Sequence, residues 1–355
     1  MAKVVLKVGS NLLVGQGGIK KEYIIEMVAT VNKLLSDKHK VAIVTSGAAA
    51  SGRKVLRIDT HDMVSKQALC AVGQVQLMNI YENAFSFYNR RVAQILLTRD
   101  DFSDRTRFLN LRNTLIGLEN FKVIPIINEN DTVAVEEIKL GDNDILSAMF
   151  SICWGADYLL LLTSVDGVIG ENGEIVKEYV VGFDQVKIAK LEKTSFGSGG
   201  IDSKIIAGRM AAESGIKVYI INGNELENII KVLNGENPGT RFVTHGSRKL
   251  SRRLSWLKYI SKPKGKIYVN SGAYEAMSKR KSLLPVGIVN IDGKFDKGDV
   301  VSIYFNDKPF AKGIVNYSSD EIKIIKGLKT DEIPEDIFTY EEVIHADNTI
   351  LEGKL

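Results

Sequence analysis

Six side chains that could do chemistry lie at the two ends of one short segment, NENDTVAVEEIKLGDNDILSA (residues 128–148). They are Asn128, Asn130, Asp131, Asp142, Asn143 and Asp144. A cluster of this composition can hold a metal ion, hold a cationic group of a substrate, or cap a helix. The spacing excludes an EF-hand calcium loop, because the glycine and the distal glutamate that such a loop requires are misplaced.

Helix capping accounts for only part of this segment. GDND stands before the apolar run ILSAMF, where acidic and amide side chains satisfy the free N–H groups of a helix start. NEND, by contrast, directly follows the apolar run KVIPII, which predicts a strand. Asp131 and Asp142 suit an ammonium group, whereas Asn128 and Asn143 suit a carboxylate or polar backbone. This mixture of charges matches an α-amino acid.

Three loops rich in glycine and other small residues lie beside the predicted strands: KVGSN (7–11), TSGAAASG (45–52) and FGSGGIDSK (196–204). Glycine lets backbone N–H groups approach an anion closely, and a following helix N-terminus favours negative charge. Lys7 and Lys204 could together neutralise a transferring phosphoryl group, and Asp144 could orient both. For Lys7 alone, an edge position with its ammonium group in solvent is the alternative.

Several common activities lack their motifs. The sequence has neither the G-x-x-x-x-G-K-[ST] P-loop nor the G-x-G-x-x-G dinucleotide motif. Its four histidines lie in no motif, and it has no nucleophile elbow. The two cysteines, Cys70 and Cys153, argue against a disulfide scaffold and against a zinc site. Hydrolytic triads and dehydrogenases are therefore disfavoured, and we expect no metal site made by protein ligands alone.

Residues 1–235 alternate β-branched runs with helical patterns. The predicted strands are 3–8, 40–46, 91–98, 122–127, 158–163 and 217–222, and the predicted helices include 21–37, 67–88 and 141–155. The strands are mostly continuous apolar runs, as expected when helices cover both faces of a sheet. This pattern predicts an α/β fold, in which a doubly wound, mostly parallel sheet is sandwiched by helices and binds ligands beyond the carboxyl ends of its strands.

The pattern changes towards the C-terminus. Short runs with DG, KG and SS turns over residues 265–330, from GKIYVNSGA to EIKIIKG, predict strands of a small β-barrel-like domain. We expect a catalytic domain at 1–246, a basic linker at 247–264, a β-rich domain at 265–345 and a tail at 346–355. No signal peptide or membrane span is recognisable, so we expect a cytoplasmic location and no membrane partner.

The net charge of +4 is concentrated in one place. Residues 247–264 carry seven Lys or Arg and no acid, whereas residues 265–345 carry 11 Lys or Arg against 13 Asp or Glu. A basic run of this kind is usually a solvated linker or helix face. RNA binding through the C-terminal domain and this linker is the alternative function, but the acidic balance of the domain makes a nucleic-acid partner unexpected.

Seven segments together carry a family resemblance. They are KVGSN, IVTSGAAASGR, ILLTRDDF with RFLNLRNTL, VIPIINENDTVA, IKLGDNDILSA, LLLLTSVDG and GSGGIDSKIIAG. The chain resembles the glutamate 5-kinase family of the amino-acid kinase superfamily, and its C-terminal part, with SLLPVGIVNIDGKFDKGDVVSI, resembles a PUA domain. The resemblance covers about nine-tenths of the sequence and implies an amino-acid kinase fold followed by a PUA domain.

That resemblance implies phosphorylation of the γ-carboxylate of L-glutamate by Mg-ATP, giving L-glutamyl 5-phosphate and ADP, the first step of proline biosynthesis. Carried over by motif, the catalytic residues are Lys7, Lys204 and Asp144. The implied glutamate-binding residues are Ser46, Asp131 and Asn143, with Asn128 and Asp142 beside them. The implied ATP-binding residues are Lys7, Thr163, Ser164, Ser198, Gly199, Gly200, Ile201, Asp202, Ser203 and Lys204.

The resemblance also implies other properties of the chain. The expected partners are L-glutamate and ATP, with Mg²⁺ held mainly by ATP phosphates and water. A homo-oligomer, dimer or tetramer, and feedback inhibition by L-proline are further implications. Three departures bear on adenine binding. Ser164 stands where the family often has Asp, and GSGGI (197–201) stands where it has GTGGM. Residues 165–176, VDGVIGENGEIV, are shorter than the corresponding nucleotide-side loop of some members.

Overall fold

The chain forms two compact units in a computed structural model that describes residues 1–58, 62–133, 142–182, 200–244 and 250–352. Unit 1 comprises Met1–Asp101 and Leu109–Lys249, and unit 2 comprises Phe102–Phe108 and Leu250–Leu355. Within the described ranges, no helix is both long enough and apolar enough to cross a membrane. The boundaries drawn from the sequence remain predictions.

Strands and helices alternate along the first 249 residues. The strands are β1 (Lys3–Val8), β2 (Val14–Gly15), β3 (Gly18–Ile19), β4 (Lys40–Val44), β5 (Val92–Leu97), β6 (Ile124–Glu129), β7 (Tyr158–Thr163), β8 (Glu178–Val180), β9 (Lys217–Asn222) and β10 (Thr240–Val243). The helices are α1 (Ser10–Leu13), α2 (Lys21–Ser36), α3 (Ala48–Leu56), α4 (Met63–Ser86), α5 (Arg99–Ser103), α6 (Arg105–Asn120), α7 (Asp142–Trp154), α8 (Ile201–Glu213) and α9 (Glu227–Leu233).

Eight of these strands form one sheet in the order β5-β6-β4-β1-β7-β9-β10-β8. The six strands from β5 to β9 pair in parallel, and β10 pairs antiparallel with β9. The predicted doubly wound, mostly parallel sheet is therefore confirmed. Strand β1 is central, because β4 follows on one side and β7 on the other, so the carboxyl ends of these strands meet where the chain changes direction.

The core explains why these runs form these elements. Residues 4–6 of β1 and the leucines of β7 are fully buried, since helices cover both sheet faces. Helix α2 turns Ile24, Met27, Val28 and Val31 towards the sheet at helical spacing. Burial of apolar side chains in the cores of both units supplies most of the free energy that stabilises the fold.

Helices α3 and α4 cross with their backbones almost in contact. A Cβ atom placed on Gly73 would lie 1.8 Å from the carbonyl oxygen of Ala48, and one on Gly52 would lie 2.0 Å from that of Leu69. Only glycine fits at either position. Helix α3 begins directly after the loop at Ser46, so this crossing fixes α4 relative to that loop.

Strand β6 differs from the prediction. The sequence placed the strand at 122–127, with Asn128 already beyond its end, but β6 runs from Ile124 to Glu129. The neighbouring strand β5 pairs Leu96 with Asn128 and Leu97 with Glu129, which extends the ladder by two polar residues. Asn128 is consequently 2% exposed rather than projecting from a strand end.

The second unit contains its own sheet. Its elements are α10 (Arg252–Ser255), β11 (Gly265–Val269), α11 (Ser271–Ser278), β12 (Ile288–Gly293), β13 (Val300–Phe305), β14 (Lys308–Ile314), α12 (Ser319–Ile325) and β15 (Thr349–Leu351). The strand order is β12-β11-β13-β14-β15. Neighbouring pairs are antiparallel except β11 with β13, which is parallel.

Two segments of this unit refine the sequence analysis. EIKIIKG was predicted as a strand, and this is wrong: it belongs to α12, because Ser318 and Glu321 form a capping box and Ile322 and Ile325 are buried one turn apart. The segment interpreted as a basic linker contains α10 and a π-helical turn at Trp256–Ile260. Residues 245–249 of that region lie outside the described residues.

Candidate active site

Asp144 joins two lysines at the carboxyl end of the sheet. It lies in the first turn of α7 and is fully buried. Its Oδ1 atom pairs with Nζ of Lys7, at the end of β1, and its Oδ2 atom lies 3.1 Å from Nζ of Lys204, in the first turn of α8. The Ser203 hydroxyl also donates to Oδ2, at 2.7 Å. The structure therefore brings together three residues that are far apart in sequence.

Burial and charge act against each other in this cluster. Burial lowers the pKa of Lys7 below its ordinary value, although the Asp144 charge partly opposes this. Burial alone would raise the pKa of Asp144, but the charges of Lys7 and Lys204 outweigh it, so the carboxyl pKa lies below its usual range. Lys7 is 5% exposed, so the alternative of an edge lysine with its ammonium group in solvent does not hold. The site concentrates positive charge where an anion could bind.

A chain of hydrogen-bonded amides lies directly beside the lysine cluster. Asn143 precedes Asp144, and its Nδ2 atom donates to the Thr45 carbonyl at 3.0 Å, to the Ser46 hydroxyl at 2.9 Å and to Asn128 Oδ1 at 3.1 Å. The backbone N–H of Glu129 also donates to Asn128 Oδ1. Three of the predicted glutamate-binding residues thus form one connected group.

The two predicted acids of the amino-acid site differ in what the structure shows. Asp131 is half-buried and forms a hydrogen bond with the Cys70 thiol of α4. Burial raises the pKa of this carboxyl, and the hydrogen bond with Cys70 and the charge of Lys66 only partly offset that effect. Asp142 is the first residue of α7, and its side chain lies outside the described part of the structure.

The predicted ATP-binding residues lie at the ends of two elements. Thr163 ends β7, the neighbour of β1, and Ser164 follows it on the surface. Gly200, Ile201, Asp202 and Ser203 open α8 beside Lys204, and the Ser203 hydroxyl lies 2.9 Å from the Gly200 carbonyl. Ser198 and Gly199 lie outside the described residues. Among the described residues, neither Ser164 nor Asp202 forms a side-chain hydrogen bond or ion pair with Lys7, Asp144 or Lys204.

Sequence reasoning missed several residues that border the site. Gln74 Oε1 accepts a hydrogen bond from Asn128 Nδ2 at 2.9 Å, Cys70 contacts Asp131, and the hydroxyls of Thr45 and Tyr81 lie 2.8 Å apart. Helical spacing could have identified Gln74 in the sequence. Positions 70, 74, 77 and 81 lie on one face of α4, which places this glutamine among buried, mostly apolar residues. A buried polar side chain in such a stripe needs a partner.

The described part of the site offers no ready set of metal ligands. Among the described residues, no three His, Cys, Asp or Glu side chains are grouped to hold a metal ion. Both oxygens of Asp144 already pair with lysines. The described side chains therefore suit a divalent cation that arrives with its own phosphate and water ligands better than one held by carboxylates.

Comparison with known proteins gives close relatives. The model of the amino acid kinase family matches residues 2–222, and that of the PUA domain matches residues 265–337. Glutamate 5-kinase of Thermotoga maritima is 53% identical over 328 residues, which cover 92% of each chain. Glutamate 5-kinase of Kosmotoga olearia is 53% identical over 357 residues, 98% of each chain, and that of Dictyoglomus thermophilum is 41% identical over 364 residues, 98% of this chain and 97% of the relative.

Proposed function

Since this chain belongs to the amino acid kinase family, within its glutamate 5-kinase group, we propose that it transfers the γ-phosphoryl group of ATP to the γ-carboxylate of L-glutamate. The products are L-glutamyl 5-phosphate and ADP. The observation that carries this proposal is the pairing of Asp144 with Lys7 and Lys204 next to the amide group of Asn143. Lysines suit a phosphoryl group, and the neighbouring amides suit an amino acid.

The chemistry requires no general base. The acceptor is a carboxylate, which is ionised at neutral pH because its reference pKa is about 4.3. Catalysis then consists of aligning donor and acceptor and neutralising charge on the transferring phosphoryl group. We assign that neutralisation to Lys7 and Lys204, with Asp144 holding their ammonium groups in place.

We assign the remaining site residues by their positions. Ser46, Asn143 and Asp131 bind glutamate, with Asn128 and Asp142 beside them. Thr163, Ser164 and the segment from Ser198 to Lys204 bind ATP. Mg²⁺ would be held by the phosphates of ATP and water, with no cage of protein ligands, and when bound it would supply neutralisation of phosphate charge.

The test is a hydroxylamine assay for the acyl phosphate. We expect turnover with L-glutamate and much weaker turnover with L-aspartate and N-acetyl-L-glutamate. Lys204→Ala should abolish turnover while the chain still folds, because Asp144 keeps Lys7 as its partner. Lys217→Ala, which removes an exposed lysine of β9, is the matched control and should retain full activity. Turnover with aspartate alone would refute the proposal.

Other properties implied by the family remain proposals of the same kind. They are a homo-oligomer, dimer or tetramer, a cytoplasmic location, a role in proline biosynthesis, and inhibition by L-proline. RNA binding through the C-terminal domain gains no support from the charge of residues 265–345, which carry 13 Asp or Glu against 11 Lys or Arg.

A further inference from the structure

Gln74 has a buried amide nitrogen with no partner among the described residues. The side chain is 7% exposed, and its Oε1 atom accepts from Asn128 Nδ2 at 2.9 Å, but its Nε2 atom makes no hydrogen bond there. An unsatisfied buried donor is costly, and each such group in a folded protein calls for an explanation. We infer that Gln74 is a further substrate-binding residue, whose Nε2 atom donates to the α-carboxylate of L-glutamate. This inference rests on the proposed function.

Backbone groups fix which way each amide points. The N–H of Glu129 can only donate, so the Asn128 atom that it meets at 2.9 Å must be the oxygen, Oδ1. Asn128 then presents its Nδ2 atom to Gln74, and only the Gln74 oxygen can accept from it. The nitrogen of Gln74 therefore faces away from Asn128. The donor character of that free end follows from hydrogen-bond chemistry, not from a choice between two similar atoms.

At the other end of the chain of amides, a backbone acceptor fixes the orientation of the Asn143 side chain. The Thr45 carbonyl can only accept, so the Asn143 atom 3.0 Å away is the nitrogen, Nδ2. Asn143 Oδ1 is left buried and without a partner among the described residues. Among the described residues, the chain of amides thus ends in a free acceptor at Asn143 and a free donor at Gln74. An α-amino acid carries an ammonium group and a carboxylate on one carbon, which complements this polarity.

The position of Gln74 selects the α-carboxylate over the γ-carboxylate. Asn143 is adjacent to Asp144, which holds the two lysines, whereas Gln74 is two hydrogen bonds further along the chain of amides. The γ-carboxylate has to reach the phosphoryl group at the lysines. The carboxylate near Gln74 is then the other one. The crossing at Gly73 holds the Gln74 backbone firmly against α3, so the donor is preorganised.

The test compares Gln74→Met with Gln74→Glu, using L-glutamate and its α-amide, isoglutamine, as substrates. We expect Gln74→Met to lower kcat/KM for glutamate roughly 10- to 100-fold, chiefly through KM, because a hydrogen bond to a charged group is lost. Gln74→Glu should lower kcat/KM for glutamate by at least the same factor again, because the introduced carboxylate repels the substrate carboxylate. It should also raise the preference for isoglutamine over glutamate, since the α-amide can donate to that carboxylate.

Controls separate this role from folding and from the proposed function. Gln76→Met alters a glutamine two positions away that is exposed, and it should leave both substrates unaffected. Turnover of glutamate by the parent chain tests the proposed function separately. The inference is overturned if Gln74→Glu binds glutamate more tightly than Gln74→Met, or if the ratio of kcat/KM for the two substrates stays the same in both variants. If neither variant folds, the parent chain is assayed with isoglutamine. Turnover of isoglutamine equal to that of glutamate would also overturn the inference, because the α-carboxylate would then contribute nothing to binding.

Discussion

The Lys204 ammonium group lies 3.1 Å from Oδ2 of Asp144, although the two residues are 60 positions apart in the sequence. The other oxygen of the same carboxylate pairs with Lys7. One carboxylate therefore orients two ammonium groups, and the three side chains together retain one positive charge, two minus one. Because all three are buried, this charge acts through a medium that screens it far less than water does. A phosphate group is the ligand that such an arrangement attracts.

Asp144→Asn tests how much this carboxylate contributes. We expect kcat to fall by roughly 10²- to 10³-fold, because the lysines lose the group that positions them. The pKa of Lys7, already lowered by burial, should fall further when the opposing charge is removed. Stability should also drop by about 3–5 kcal/mol, the usual cost of removing one partner from a buried ion pair. Steady-state kinetics and thermal melting measure the two effects.

A graded comparison distinguishes loss of charge from loss of one hydrogen bond. Ser203→Ala removes only the hydroxyl that donates to Asp144 Oδ2 at 2.7 Å, so it should cost kcat about 3- to 30-fold. If Asp144→Asn kept more than a tenth of the parent kcat, or if Ser203→Ala were the more damaging change, the assigned role of Asp144 would be wrong.

The pH dependence of kcat/KM for glutamate should reflect the protonation of Asp131. Burial raises the pKa of this carboxyl, so the carboxylate that we assign to glutamate binding is lost as pH falls through a value above that of an ordinary aspartate. The acid side of the kcat/KM profile for glutamate should therefore shift to higher pH in Cys70→Ala, which removes a hydrogen bond that stabilises the charged form. Measurements between about pH 4.5 and 8 would show this shift.

Two variants serve as references for that profile. Cys70→Ser keeps an O–H donor beside Asp131, so its acid limb should stay close to that of the parent. Asp131→Asn should show only the titration of the substrate carboxyls, together with a raised KM. Identical limbs in Cys70→Ala and the parent would contradict the assignment.

The sheet and the lysine cluster could be predicted because their signals are local in the sequence. Continuous apolar runs predicted β1, β7 and β9 with their observed bounds. Lys7 and Lys204 stood out because each lies beside glycines at an element end. The position of β6 could not be predicted to the residue, because its last two polar residues are held by pairing with β5, a partner far away in the sequence.

The amide chain was harder to predict for the same physical reason. Gln74 lies within a long helix, and nothing local distinguishes it from the exposed Gln76 except helical spacing. The contacts of Gln74 depend on the close crossing of α3 and α4 and on the two residues by which β6 extends beyond the predicted strand. The strand predicted at EIKIIKG failed because β-branched runs are ambiguous, and the capping box at Ser318 decided for a helix.

Glu119 should make stability depend on pH. It accepts from Lys3 and Lys40, and Trp154 Nε1 donates to it at 2.7 Å. Burial alone would raise its pKa, but the two lysines outweigh that effect and hold the pKa below its usual range. A carboxyl with a lowered folded pKa stabilises the fold above its unfolded pKa of about 4.5 and loses that contribution as pH falls through the folded value. Glu119→Gln should therefore destabilise most at neutral pH.

The measurement is the difference in the free energy of unfolding between Glu119→Gln and the parent, followed from pH 7 down to about pH 2, because the folded pKa lies below the unfolded one. We expect about 1–3 kcal/mol at neutral pH, shrinking as the solution is acidified. Glu82→Gln is the matched control, since its pair with Arg91 is largely exposed and should contribute under about 1 kcal/mol. A difference that stays constant over this range would exclude the charge of Glu119 as its source.

The glycine crossing should couple stability to substrate binding. In Gly73→Ala the new Cβ would lie 1.8 Å from the Ala48 carbonyl, so α3 and α4 must separate. We expect a loss of about 1–3 kcal/mol, as for other overpacked cores, and a raised KM for glutamate because Gln74 moves away from the Ser46 loop. Gly117→Ala in α6, where a Cβ meets nothing within 4 Å, should be neutral or stabilise by up to about 1 kcal/mol. Melting temperatures and glutamate KM values for both variants test this, and a Gly73→Ala protein as stable as Gly117→Ala would mean that the helices do not need this close approach.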